Sequence, residues 1–175
     1  ERLAELAAEP NVFYSPWALL PSARHLHAGQ TLRVLLFFRE DDDQQLEGLL
    51  PLFEKRCAGG VSTLHSYRHR YCFSTEPLLC RGREMEVARS FVGWLHGRRF
   101  RCPLLSLRGL DDRGAWLRAL LPALEQQGVH YRRTEPVERA LLRVEGGLEA
   151  FLERTPAKKR KEYRRLRERL EALGE

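Results

Sequence analysis

The run Val34-Leu35-Leu36-Phe37-Phe38 constrains the fold of this chain more than any other stretch. Uninterrupted apolar residues of strand length, bounded by Arg33 and Arg39, predict a central strand covered on both faces. The acidic segment Glu40-Asp41-Asp42-Asp43 then reads as a hairpin turn, with Leu46 to Arg56 returning antiparallel. A turn needs only polar, turn-forming residues, so the adjacent aspartates are taken as loop and not as a metal site.

Gly59-Gly60 marks a second turn, and Ser62 to Phe73 reads as a third strand. Alternation along it places His65, Tyr67, His69 and Tyr71 on one face and Leu64, Ser66, Arg68 and Arg70 on the other. Two readings of the first face stand. It lines a substrate cleft in which His65 or His69 accepts a proton near neutral pH, with Tyr71 beside them. Alternatively it is the partly exposed face of an edge strand.

The flanking segments supply helices. Arg2 to Ala8 forms a short one, ended by Pro10-Asn11. In Phe13-Tyr14-Ser15-Pro16-Trp17, Ser15 and Pro16 open a helix carrying Trp17, Leu20 and Leu26, with Pro21 as a kink and the aromatic cluster as a core anchor. Glu84 to His96 presents Met85, Ala88, Phe91, Val92 and Leu95 on one side. Pro103 to Leu107 is a short strand, and Asp111-Asp112 starts a helix with Trp116, Leu117, Leu120, Leu121 and Leu124. Val129 to Thr134 and Ala140 to Val144 are further strand candidates, followed by a short helix bearing Leu148, Phe151 and Leu152. A meander followed by βα units predicts an α/β (α+β) domain: a mixed, largely antiparallel sheet with helices on both faces, plus a C-terminal basic helix.

That last helix, Thr155 to Glu175, has Thr155 as the expected N-cap and Pro156 as first helical residue. Tyr163, Leu166, Leu170 and Leu173 make a narrow apolar stripe, and Lys158, Lys161, Arg165 and Arg169 line the opposite face. The pair Arg164 and Glu168 is set for an i,i+4 contact. Most of the chain's formal +6 charge resides here. A solvated surface, a nucleic-acid or anionic-surface binder and a docking helix are all compatible with it. Because the rest of the chain is nearly neutral, nucleic acid is the weaker of these readings.

At 175 residues the chain suits one domain and a short appendage. It holds no apolar run of bilayer-spanning length and no signal-peptide layout at its start, so a cytoplasmic protein without a membrane span is expected. Cys57, Cys72, Cys80 and Cys102 lack Cys-x-x-Cys spacing, which predicts reduced thiols and no zinc. The first residue is Glu1, not methionine, which is read as the mark of a fragment.

The element order resembles the GNAT acyltransferase fold. Phe13-Tyr14-Ser15-Pro16-Trp17, Leu46-Glu47-Gly48-Leu49-Leu50-Pro51-Leu52, Leu105-Ser106-Leu107-Arg108-Gly109-Leu110 and Phe151-Leu152-Glu153-Arg154 with Lys158-Lys159-Arg160-Lys161-Glu162-Tyr163-Arg164-Arg165 resemble the CelD-like acetyltransferase family, related to FemAB-type transferases. The resemblance implies two GNAT modules in tandem, with residues 1–154 as the first and residues 155–175 as a basic linker opening a second that is absent. It implies acyl transfer from acyl-CoA to an amine or hydroxyl of a small-molecule or cell-envelope precursor acceptor.

In such folds a glycine-rich loop at a helix N-terminus holds the donor pyrophosphate. Here the equivalent place reads Arg81-Gly82-Arg83-Glu84-Met85-Glu86. At about 4 Å and an effective dielectric near 20, each like-charge contact costs roughly 4 kcal/mol. Glu84 and Glu86 therefore remove Arg81, Gly82 and Arg83 as cofactor ligands, and acyl-CoA is expected mainly on the absent module, without a metal. This half then shapes the acceptor cleft, with Lys158, Lys159, Arg160, Lys161, Arg164 and Arg165 as candidate contacts to an anion. The alternative is a non-catalytic scaffold module that self-associates through Tyr163, Leu166, Leu170 and Leu173.

Overall fold

The computed structural model describes residues 2–26, 31–56, 60–97, 104–134, 136–138 and 146–174. The chain divides into two compact units, Glu1–Thr134 and Glu135–Glu175. The first is mixed α+β. It runs α1 (Arg2–Leu6), a 3-10 turn (Val12–Tyr14), α2 (Pro16–Leu26), β1 (Thr31–Arg39), β2 (Asp42–Arg56), β3 (Ser62–Ser66), β4 (Leu78–Leu79), α3 (Glu84–His96), β5 (Leu105–Ser106) and α4 (Ala115–Gln126). The second holds α5 (Gly147–Arg154) and α6 (Ala157–Glu171).

The sheet order is β1-β2-β3-β5, with β4 also paired to β2. Every pairing is antiparallel except β3 with β5. Among the described strands β1 therefore lies at the edge, and it is not the covered central strand its composition predicts. Val34, Leu36 and Phe38 are 38%, 47% and 48% exposed. The central strand is β2, whose alternation reads less plainly because Gly48 and Pro51 interrupt its apolar pattern.

Both interruptions have physical work to do. A Cβ on Gly48 would lie 2.8 Å from Val87 Cγ1 and 3.0 Å from the Phe37 ring, so glycine lets α3 pack directly on the sheet. Pro51 offers no N–H to the ladder. Its carbonyl accepts from the Tyr67 N–H at 3.0 Å, but Pro51 has no proton to return to the Tyr67 carbonyl. That carbonyl is satisfied instead by the Tyr14 hydroxyl at 3.0 Å. Burial, the largest influence on Tyr14, pushes its phenol well above the ordinary value and keeps it a donor.

The ladder consequently stops at Ser66, and residues 67–73, expected to continue the strand, turn away from β2. The same geometry orients β1. In an antiparallel ladder a residue's N–H and C=O point to one side. Since Pro51 points toward β3, its partner Val34 points away from β2, as do Leu32 and Leu36 at the same alternation.

One face of the sheet packs on α3 and α4. There Phe37, Leu50, Leu52, Leu64 and Leu79 meet Val87, Phe91, Val92, Trp116, Leu120 and Leu124. Phe91 and Trp116 cross edge to face with centroids 5.4 Å apart. The other face carries the N-terminal helices, where Leu3, Ala7, Tyr14, Leu19, Tyr67 and Leu78 form a smaller cluster. Tyr14 is the core anchor expected of the aromatic segment, whereas Trp17 is 64% exposed.

Further departures are local. Val129 to Thr134 is irregular, and Ala140 to Val144 lies outside the described residues. Thr155 does not cap α6: its hydroxyl donates to the Phe151 carbonyl at 2.8 Å and closes α5, while Pro156 occupies the N-cap. The ion pair on α6 is Arg167–Glu171 at 2.8 Å, not Arg164–Glu168.

Replacing Tyr14 by Phe removes the hydrogen bond to the Tyr67 carbonyl and is expected to cost about 1–3 kcal/mol in urea denaturation. Pro51→Ala supplies an N–H aimed at the same carbonyl. In that background Tyr14→Phe should cost about 1 kcal/mol less; equal costs in the two backgrounds would show that the carbonyl is not the shared partner.

Candidate functional site

Where β1 begins and β2 ends, the end of the sheet opens into a cleft of about 970 Å³. Thr31 and Arg33 enter from β1, Phe53, Glu54, Lys55 and Arg56 from β2, and His65 and Ser66 from β3. Arg68 and Arg108, just past β3 and β5, and Ser106 on β5 complete the wall.

The charge of this cleft is one-sided. Arg33 is engaged by Glu54 at 2.6 Å. A hydrogen bond from Ser62, then those from Arg33, hold the Glu54 carboxyl below the usual range and therefore ionised. Among the described residues, Lys55, Arg56, Arg68 and Arg108 have no carboxylate within ion-pairing distance. The Arg108 backbone is fixed on both sides: its N–H donates to Ser66 Oγ at 2.9 Å, and its carbonyl accepts from the Thr75 hydroxyl.

His65 sits within this positive field. Its ring stacks on Phe53 with centroids 5.2 Å apart and planes at 20°. Nε2 lies 2.9 Å from Thr63 Oγ1. That hydroxyl gives its proton to the Lys55 carbonyl at 3.2 Å, so toward His65 it accepts. This network assigns the proton to Nε2 and leaves the Nδ1 lone pair as the basic position. Burial first, and then Lys55 and Arg108, lower the His65 pKa from its ordinary 6.5. The imidazole is neutral at pH 7 and able to accept a proton.

The other two candidates lie elsewhere. His69 and Tyr71 line a separate depression of about 640 Å³ with His25, Leu26, Arg68 and Arg70. There His69 Nδ1 accepts from the Tyr71 N–H at 3.2 Å. The expected single row of His65, His69 and Tyr71 is thus divided, because the strand that would have aligned them ends at Ser66. Only Arg68 borders both depressions.

The loop before α3 is closed on itself. Gly82 has φ +81°, and its N–H donates to Glu84 Oε1 at 3.1 Å, the kind of donor an external phosphate would need. Arg83 bonds Glu47 at 2.9 Å and Glu86 at 3.1 Å, while Arg39 binds the same buried Glu47 oxygen at 2.8 Å. Burial alone would raise the Glu47 carboxyl, but the two guanidinium hydrogen bonds bring it below its ordinary value. On α6, Lys158, Lys159, Arg160, Lys161, Arg164 and Arg165 are all exposed, and none of them is ion-paired among the described residues.

Sequence reading singled out His65 but missed its cationic neighbours Arg33, Lys55, Arg56 and Arg108. The available signal was positional: Lys55-Arg56 and Arg108 all fall at strand ends, where side chains leave the core. No group of His, Cys, Asp or Glu arranged to hold a metal occurs among the described residues, and no described helix is long and apolar enough to cross a membrane. No protein-family model matches the chain, and neither a curated protein nor a solved structure matches it significantly.

The lowered His65 pKa has a definite sign in stability. The unfolded chain takes up this proton near pH 6.5 and the folded chain only below it. The His65 contribution is complete above about pH 6.5 and is lost as pH falls toward the folded value. Urea unfolding at about pH 7.5 and about pH 5.5 should show a smaller acid loss for His65→Asn than for the unaltered chain. Equal losses would remove His65 as the group responsible.

Proposed function

We propose that this chain is the acceptor-binding half of an acyltransferase that moves an acyl group from acyl-CoA to an amine or hydroxyl. The observation that carries the reading is a neutral histidine with a free basic nitrogen inside a strongly cationic cleft. In this scheme the cations hold an anionic acceptor, a small molecule or cell-envelope precursor, with its nucleophile beside His65 Nδ1. As the nucleophile bonds to the thioester carbonyl carbon, Nδ1 takes its proton; the C–S bond breaks and the thiolate leaves, to be protonated from His65 or water.

The self-satisfied loop at Gly82–Glu86 argues against donor binding there. The acyl-CoA is assigned to a second module of the same kind, as the resemblance to tandem CelD-like transferases implies. Acetyl-CoA titrated calorimetrically into the full natural chain should bind, and thiol release from it should fall by about 10²–10⁴-fold in His65→Gln. Absence of acyl-CoA binding, or an unaltered rate in that variant, would overturn the reading.

A second reading rests on α6. Tyr163, Leu166 and Leu170 are 41%, 49% and 70% exposed on one stripe, with Leu173 just beyond the helix. An apolar stripe of this spacing suits self-association in a non-catalytic scaffold. Light scattering should then show a smaller species after Leu166→Glu/Leu170→Glu, and an unchanged mass would remove this role.

A further inference from the structure

The cationic excess of the cleft around His65 is larger than recognition of a single carboxylate requires. After Glu54 neutralises Arg33, Lys55, Arg56, Arg68 and Arg108 remain unmatched among the described residues, and they share one wall system with Arg33. Like charges held in one concavity repel, and a ligand that brings two or more negative charges relieves this repulsion at several places at once. All but one of the lining cations are arginines, whose planar fork meets phosphate oxygens in pairs.

Size and shape narrow the class further. A volume of about 970 Å³ exceeds what a lone phosphate occupies and falls within the range of sites for whole small molecules. The Phe53–His65 stack supplies a flat, partly apolar surface in the same cleft, against which a sugar or base ring can lie. Ser66 and Thr75 hold the Arg108 backbone in place before any ligand arrives, which lowers the ordering cost of binding.

We infer that the cleft is a binding site for a phosphorylated small molecule carrying at least two negative charges, its phosphate held by Arg56, Arg68, Arg108 and Lys55 and its ring resting on the Phe53–His65 face. As an acceptor assignment this rests on the transferase reading; as an anion site it stands apart from it. Coenzyme A is itself a phosphorylated molecule, so the two sources of phosphate must be separated by experiment.

Isothermal titration with sodium pyrophosphate and, separately, with coenzyme A provides that separation. The unaltered chain should bind one pyrophosphate, more weakly as salt is raised. Arg56→Gln and Lys55→Gln, both exposed and outside the core, should each weaken it several-fold to tenfold. Arg118→Gln on α4 removes the charge of an exposed residue that does not line the cleft and should leave the affinity unchanged.

Absence of pyrophosphate binding overturns the inference. So does equal weakening by Arg118→Gln, which would place the anion elsewhere or make the effect one of net charge. Coenzyme A binding as tightly as pyrophosphate, and equally sensitive to Arg56→Gln, would assign the cleft to the donor and overturn the acceptor assignment. Pyrophosphate binding together with no acyl-CoA binding by the full chain keeps the anion site and removes the transferase reading; the reverse result keeps transfer and removes the phosphorylated acceptor.

Discussion

A single missing backbone proton organises the larger unit. Pro51 lies fully buried in the central strand, where an ordinary residue would return a hydrogen bond to Tyr67. Leaving that carbonyl unpaired in the core would be costly, so the fold brings the Tyr14 hydroxyl to it from the N-terminal helical layer. One contact thus ties the 3-10 turn to the end of β3. Ser22 adds to it, with its hydroxyl 2.8 Å from the Tyr67 phenol.

From this follows the separation of the two depressions. Had the ladder continued past Ser66, His65, His69 and Tyr71 would have faced one way along a single strand. Because it ends there, the chain turns, Arg68 reaches the boundary between the depressions, and His65 is left alone among cations. The backbone then returns as β4 beside Gly48 and Leu49, and Asn11 secures the path by donating to the Glu76 carbonyl at 2.6 Å. The gathering of His65 and the cations into one cleft is in this sense a consequence of how a proline interrupts a strand.

The fold class was legible because periodicity survives tertiary context where elements are long: α3 spans the expected Glu84–His96, whereas α4 starts at Ala115 behind Gly114 and not at Asp111-Asp112, and β2 starts at Asp42 and not at Leu46. Strand rank was not. The apolar density of Val34 to Phe38 resembles that of a covered strand, yet coverage depends on which neighbours a strand acquires, and among the described strands β1 acquires one. The end of β3 was hidden for a related reason: the proline that causes it precedes Ser66 by fifteen residues, visible only once the register Leu52 with Ser66 is known. Similarly, Thr155 and Pro156 fit a helix start by type, but the Thr155 hydroxyl had a nearer acceptor at Phe151. His65 stood as a candidate from its chemistry alone, while the surrounding arginines needed the sheet to gather them.

Among the described strands, β1 has a neighbour on one side only. Leu32, Val34 and Leu36 turn their backbone groups away from β2, and Val34 and Leu36 also expose their side chains. Natural sheets usually blunt such edges with lysine, proline or a bulge, and here the only irregularity lies at the far end, after Phe37. Among the described residues nothing pairs with this edge, and an unpaired edge is the geometry on which an extended segment lengthens a sheet. Where such an edge is open, a net positive charge, which keeps copies apart, works against the strand pairing that would bring them together.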